Sequence, residues 1–330
     1  PTLKPQQKDN KMNMINPFTK PITSIDNLDL SAIDFEVERQ PIYGERTHEN
    51  SEGRSFSHFS KIDGKYEYFR KDTGATLGVH TASYNHDGYK KHVSHVIEAV
   101  KEMGTLDQLD TSNAETKFSV YEDGRKLKLE LLFPNNIIEP QIGDITKLRL
   151  RDWDSYDGSW GRRLWIDGMR LWCLNGCTSP AFKLGFYAKH TKSISGDESI
   201  NRMLTSMKSM VSNFYEDEAK FKRWISTNVT QEEAQELFSK TLAFAPKAVE
   251  EDGKWKHHSP NVMDDLRANI DSNFSQVGRN LYGVYNAATE WATHVQTKRG
   301  QIHNIERTRE SKVASMLNSP DWNRLERFSA

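Results

Sequence analysis

Residues 144–176 read DITKLRLRDWDSYDGSWGRRLWIDGMRLWCLNG, a stretch that holds half of the chain's tryptophans, two Asp-Gly dipeptides and a dense mixture of arginine with aspartate. Successive strand side chains point to opposite faces of a sheet. Leu148 and Leu150 therefore share one face, and Lys147, Arg149, Arg151 and Trp153 share the other. An Asp-Gly pair between two strand-like runs is a strong hairpin signal, so Asp157-Gly158 predicts a turn that brings Arg163 and Trp165 to the same side. An earlier run repeats the pattern, with Leu127, Leu129, Leu131 and Phe133 inward and Lys126 and Lys128 outward. The expected product is a sheet with one apolar face and one basic, aromatic face. A single nucleic-acid strand needs cations along its phosphates and flat surfaces for its unstacked bases. Lys126, Lys128, Lys147, Arg149, Arg151, Trp153, Trp160, Arg163 and Trp165 are the candidate set for that task. The same pattern also fits tryptophans packed beneath helices that follow later in the chain.

Outward from this stretch, Asp63-Gly64, Asp123-Gly124 and Asp167-Gly168 predict three further hairpins, together an antiparallel meander. Tyr89, Val93, Val96, Ile97, Val100 and Met103 recur at helical spacing ahead of Gly104, which predicts one helix lying over the sheet. Beyond Pro180 and a last strand-like run the period turns helical. Ile200, Met203, Leu204, Met207, Met210, Val211 and Phe214 form one stripe, Thr230 with Glu233 has the spacing of a capping box, and Ser259-Pro260 opens another helix. Strands first and helices afterwards predict an α+β fold: an antiparallel β-hairpin sheet covered by helices, with a helical C-terminal half. The expected division is a weakly ordered N-terminal arm over 1–45, a β-rich core with one helix over 46–195, and a helical region packing on the sheet over 196–330.

Lys and Arg number 45 against 46 Asp and Glu, so the molecule is no general polycation and any nucleic-acid face must be local. Two cysteines, Cys173 and Cys177, are too few for a disulfide framework. The chain has no apolar run of membrane-spanning length and no signal-peptide pattern, and the expectation is a soluble, cytoplasmic protein with no membrane partner. Phosphate-cradling and dinucleotide-binding glycine loops, the Gly-x-Ser-x-Gly elbow and the His-Glu-x-x-His helix are all missing. No catalytic residue, cofactor or metal is assigned on this reading. Asp152, Asp154 and Asp157 offer an alternative, since converging carboxylates can hold a cation for phosphodiester hydrolysis. Their spacing fails the EF-hand pattern, and Asp154 and Asp157 read more simply as turn residues. His257 and His258 read as a surface loop. Lys298, Arg299, Arg307, Arg309 and Lys312 form a second basic segment, equally consistent with a solvated helix.

Three phrases carry a resemblance: DSYDGSWG at 154–161, RLWCLNG at 170–176 and LYGVYNAATEWATH at 281–294. They are similar to the signatures of the phage/plasmid-like protein family, the domain of unknown function 932 family. Asp154 stands where that family usually has asparagine, and Trp172 where it has valine. The resemblance implies a gene of a bacteriophage or other mobile element acting in the host cytoplasm, and it implies no settled activity. A looser analogy at the level of fold is to phage single-strand annealing proteins. The functional expectation is a single-stranded DNA-binding, strand-annealing protein of phage replication or recombination, homo-oligomeric and in contact with host or phage replication proteins. The alternatives are a metal-dependent nuclease or hydrolase using Asp152, Asp154 and Asp157, and an interaction protein that binds a host factor.

Overall fold

The computed structural model describes residues 25, 28–106, 108–170, 176–177, 185–190, 196–251, 253–294 and 302–327. Strands β1 (Val37–Glu49), β2 (Ser55–Arg70) and β3 (Thr76–Thr81) form a three-stranded antiparallel sheet, and helix α1 (Tyr89–Thr105) follows. The central sheet is an antiparallel meander of β4 (Glu115–Tyr121), β5 (Lys126–Ile138), β6 (Thr146–Ser155), β7 (Arg162–Arg170) and β8 (Gly176–Cys177), and β9 (Phe186–Ala188) also pairs with β7. Then come helices α2 (Gly196–Ile225) and α3 (Gln231–Lys240), the hairpin β10 (Phe244–Glu251) with β11 (Lys254–His258), and helices α4 (Pro260–Val277), α5 (Leu281–Thr293), α6 (Ile302–Met316) and α7 (Pro320–Arg327). The chain is α+β with a largely helical C-terminal half.

Local chemistry accounts for many boundaries. Thr230 accepts from the Glu233 N–H while the Glu233 carboxylate accepts from the Thr230 N–H, so the reciprocal cap starts α3. Of the four Asp-Gly dipeptides expected to form hairpins, two make turns. Asp123-Gly124 closes β4 on β5, with Asp123 and Gly124 both at positive φ, and Asp157-Gly158 closes β6 on β7. The other two lie inside strands. Asp63-Gly64 falls in a bulge of β2, where pairing jumps from Pro41↔Tyr66 to Tyr43↔Lys61. Gly168 sits in the ladder of β7, paired with Leu148 and Cys177. Asp167 is held by arginines rather than by a turn, which removes the reason for a hairpin there. Two other expectations change as well. The strand β1 begins at Val37, inside the stretch expected as an arm, and β10 with β11 interrupts the helical half, so His258 is a buried strand residue and not a loop residue.

The central sheet is covered on both faces. Leu127, Leu129, Leu131 and Phe133 of β5, Leu148 and Leu150 of β6 and Leu164 and Ile166 of β7 are all buried on one side. Helices α1 and α2 pack there with Val93, Val96, Val100, Met203, Met207 and Met210. The opposite side carries the lysines and arginines, and α6 lies across it. Burying about 25 cal/mol per Å² of apolar surface is the main source of stability on the first face. The second face is held by charge.

Candidate functional site

Strand pairing brings Lys126 and Lys128 of β5, Lys147, Arg149, Arg151 and Trp153 of β6, and Arg163 and Trp165 of β7 to the same side of the sheet, with Trp153 paired to Lys128 and Arg163, and Arg151 paired to Trp165. That side is not a solvent face. Lys126, Lys128, Arg149, Arg151, Trp153, Trp160 and Trp165 are all buried, and Arg151 and Trp153 are fully so. Helix α6 supplies cover and two of the counter-charges, and the sheet and its turns supply the others. Lys128 meets Glu306 at 3.3 Å and Glu130 at 3.4 Å. Arg149 donates to Asp167 at 2.9 Å and to Glu130 at 3.4 Å, and Arg151 is clasped between Asp167 and Glu310. Lys126 is taken by Glu122 at 2.6 Å and Asp157 at 3.5 Å. The tryptophans stack on one another, Trp153 with Trp165 at 5.7 Å and Trp160 edge-on to Trp153 at 4.6 Å. A buried cation must be paired, and the alternation pattern could not show that the partners arrive from residues 306 and 310. These seven residues therefore form an internal ion layer and not an open nucleic-acid surface.

The edge of that layer is different. Arg163 is half-buried and its guanidinium lies over the Tyr187 ring at 5.2 Å, while Tyr187 remains 45% exposed. Arg307, from α6, donates to the Ser159 carbonyl at 3.2 Å and lies over Trp160. Burial, and then the neighbouring Arg163 charge, press the Arg307 pKa down. No carboxylate forms an ion pair with Arg163 or Arg307 among the described residues. Tyr187 also forms the wall of a cleft of about 720 Å³, with Phe186, Asn201, Arg202 and Thr205 around it. Gly161 lets the ring lie close, because a Cβ at that position would meet the Tyr187 ring at 2.5 Å and displace it. Lys147, the ninth residue of the candidate set, is half-buried at the other end of β6.

On the apolar side, the end of β6 holds a second polar cluster. Asp152 and Asp154 point into the covered face and are fully buried. Asp152 accepts from His92 of α1 at 2.8 Å. Asp154 is approached by His190 Nε2 at 2.8 Å on Oδ1 and by His86 Nε2 at 3.3 Å on Oδ2, and the Arg162 guanidinium donates to Oδ2 at 3.2 Å while bonding Asp87 at 2.6 Å. The His86 and His190 rings stack at 4.5 Å, and Tyr156 stacks on the other side of His86 at 3.7 Å. Burial pushes the His86 imidazole down to about 4 despite Asp154. Burial opposes the Asp154 charge, but His86, Arg162 and His190 together hold its carboxyl well below the usual range. Asp157 stays on the turn, bonded to Ser159. The three aspartates thus have separate partners, and the group with metal-ligand character is His86, Asp154 and His190, whose ligand atoms lie within 4.8 Å of one another. Neither histidine stands near Asp154 in sequence, which is why spacing gave no sign of them.

Two of the sequence phrases meet around Asp144. Arg170 donates to its Oδ1 at 2.5 Å, and the Tyr282 hydroxyl of α5 donates to its Oδ2 at 3.0 Å. Trp172 and Cys173, with the rest of the second phrase through Asn175, lie outside the described residues, as do Lys298 and Arg299. Arg309 donates to the Trp291 carbonyl and Lys312 to the Leu242 carbonyl, so both support α6. No helix of the described residues is long and apolar enough to cross a membrane.

Comparison with curated proteins and with solved structures gives no match. A family model described as "Domain of unknown function (DUF932)" matches residues 134–316, more than half of the chain. The matched stretch contains β6, β7, β9 and α6, and with them Asp154, His190, Arg163 and Arg307, whereas His86 precedes it. The chain belongs to the domain of unknown function 932 family.

Proposed function

We propose that the chain binds single-stranded nucleic acid at the edge of the ion layer, where Arg163, Tyr187 and Arg307 meet beside the cleft between β9 and α2. The observation that carries this reading is the Tyr187 ring. It is exposed, it lies under one arginine that has no carboxylate partner among the described residues, and it walls a cleft that also contains Arg202. Base stacking on such a ring contributes about 1–3 kcal/mol, and the arginines supply the phosphate contacts. Lys189, exposed just past the end of β9, extends the cationic edge. The resemblance of the three sequence phrases to phage and plasmid proteins supports a setting in phage DNA replication or recombination. Strand annealing needs no chemical step, which suits a chain without a known catalytic motif. The long β1–β2 ribbon, whose β1 edge pairs with no further strand among the described residues, supports action as a homo-oligomer.

The test is binding of a fluorescent oligonucleotide across a salt series. With three phosphate contacts from Arg163, Lys189 and Arg307, affinity falls by about 20-fold between 50 and 200 mM salt, from a slope near −0.7 per contact. Arg163→Glu with Tyr187→Ala abolishes binding while leaving the circular dichroism spectrum unchanged, because both side chains sit at the surface. Salt-independent binding, or full binding by the double variant, overturns the proposal.

A further inference from the structure

We infer that His86, Asp154 and His190 form a binding site for one divalent transition-metal ion. The inference is independent of the nucleic-acid reading, since the cluster lies on the opposite, helix-covered face of the sheet.

Two imidazoles and one carboxylate converge here from three separate segments: the loop before α1, the end of β6, and the residues after β9. The carboxylate is fully buried, and the two imidazoles are buried to at least nine-tenths. Both Nε2 atoms face the carboxylate, yet neither lies in hydrogen-bond alignment with any partner. A buried ring nitrogen whose one partner is poorly aligned forfeits part of its hydrogen bond, and two such nitrogens converging on one carboxylate at 2.8 and 3.3 Å fit a shared ligand. Asp154 needs no further cation for its charge alone, because Arg162 already supplies one at 3.2 Å.

The donor geometry suits a metal. Bonds of about 2.0–2.2 Å from imidazole nitrogen and carboxylate oxygen put neighbouring donors roughly 3.0–3.4 Å apart. His86 Nε2 stands 3.3 Å from Oδ2, inside that span, and His190 Nε2 at 2.8 Å from Oδ1 has only to move out by a few tenths of an ångström. The orienting contacts of a ligated carboxylate are also present: Arg162 holds Oδ2 and the Ser155 N–H donates to Oδ1 at 2.8 Å. Mixed imidazole and carboxylate donors select zinc, manganese, iron(II), cobalt or nickel over calcium and magnesium. Three protein donors leave coordination positions free for water or a substrate.

The cost lies at His86. The Gly88 N–H donates to its Nδ1 at 3.1 Å, which leaves the proton of the neutral ring on Nε2. An ion at Nε2 takes the place of that proton, the ring carries its proton on Nδ1 instead, and the Gly88 N–H gives up its acceptor. Loading therefore has a signature remote from the metal itself, a shift of the Gly88 amide resonance.

The full chain, stripped with EDTA and freed of chelator, is titrated with Co²⁺ and with Zn²⁺. One equivalent of each binds, Co²⁺ gives visible bands without a thiolate charge-transfer band, melting temperature rises, and the Gly88 amide shifts. His190→Ala, at the solvent edge of the cluster, weakens binding by more than about 100-fold, beyond what loss of an orienting contact does. His257→Ala, exposed on β11, leaves binding unchanged. The inference is overturned by an absence of stoichiometric binding, by a thiolate band, or by a folded His190→Ala chain that binds as the parent does.

Discussion

Glu130 lies where Lys128, Arg149 and Arg151 converge, and its titration shows what the ion layer does for the fold. Burial alone would raise its pKa, but the three cations pull it down to about 2 from an ordinary value of 4.5. A carboxylate with a depressed folded pKa contributes stability that is fully present above its unfolded pKa and is lost as pH falls through the folded one. The contribution is on the order of 3 kcal/mol and disappears between roughly pH 4.5 and 2. Glu310 works in the opposite sense. Burial and then Glu306 raise its pKa, with Arg151 opposing, so its protonation adds stability as pH falls toward about 4.5, ahead of the loss at Glu130. Urea denaturation across this range should show the stability of the parent chain falling more steeply with acid than that of Glu130→Gln, which has no carboxyl there to titrate. Equal slopes would mean that the folded protein does not hold the Glu130 carboxyl below its unfolded pKa.

Helix α6 is the element on which the ion layer depends, because Glu306 and Glu310 face Lys128 and Arg151 from one side of it, one turn apart. Removing one member of a buried pair strands its partner. Arg151→Met is expected to cost about 3–5 kcal/mol in urea denaturation, and adding Glu310→Leu to it should recover at least about 1 kcal/mol, the sign of a direct coupling. An additive double variant would place the coupling elsewhere. The sequence could reveal that Arg149, Arg151 and Trp153 share a face, since that follows from a period of two. It could not reveal what covers the face, because Glu306 and Glu310 read as ordinary charges of a solvated helix until α6 is laid across β5 and β6. The capping box of α3 and the helix α1 were legible because both rest on contacts a few residues apart. The Asp63-Gly64 and Asp167-Gly168 dipeptides misled for the opposite reason: the pairing of β2 with β1 and of Asp167 with two arginines is long-range and outweighs the local turn preference. His86 and His190 escaped notice because only the fold brings them to Asp154.

At the scale of the whole molecule, the far part of the β1–β2 ribbon stands apart from the rest. Beyond the bulge at Asp63-Gly64, β2 pairs with β1 alone among the described residues, and Tyr43, Phe56, Phe59 and Ile62 are exposed there. A two-stranded ribbon is marginal by itself in water, so this segment adds little to global stability. Replacing residues 44–61 with a short turn is expected to leave the melting temperature within about 2 °C of the parent, roughly the shift that a 1 kcal/mol change produces in a chain of this size. A larger fall would show that the ribbon braces the core.

The order of the chain gives the covered sheet face a history. Its cations are complete once β7 has been made, at Arg170, together with Glu122, Glu130, Asp157 and Asp167, but the last two carboxylates and the helix that covers them come only with residues 306 and 310. At about 5–20 residues per second of synthesis, the interval between the two is on the order of 10–30 seconds. For that time the growing polypeptide presents an uncovered basic, tryptophan-rich surface next to the ribosome's own RNA. Whatever shields it until α6 arrives decides how much of the newly made protein reaches its folded form.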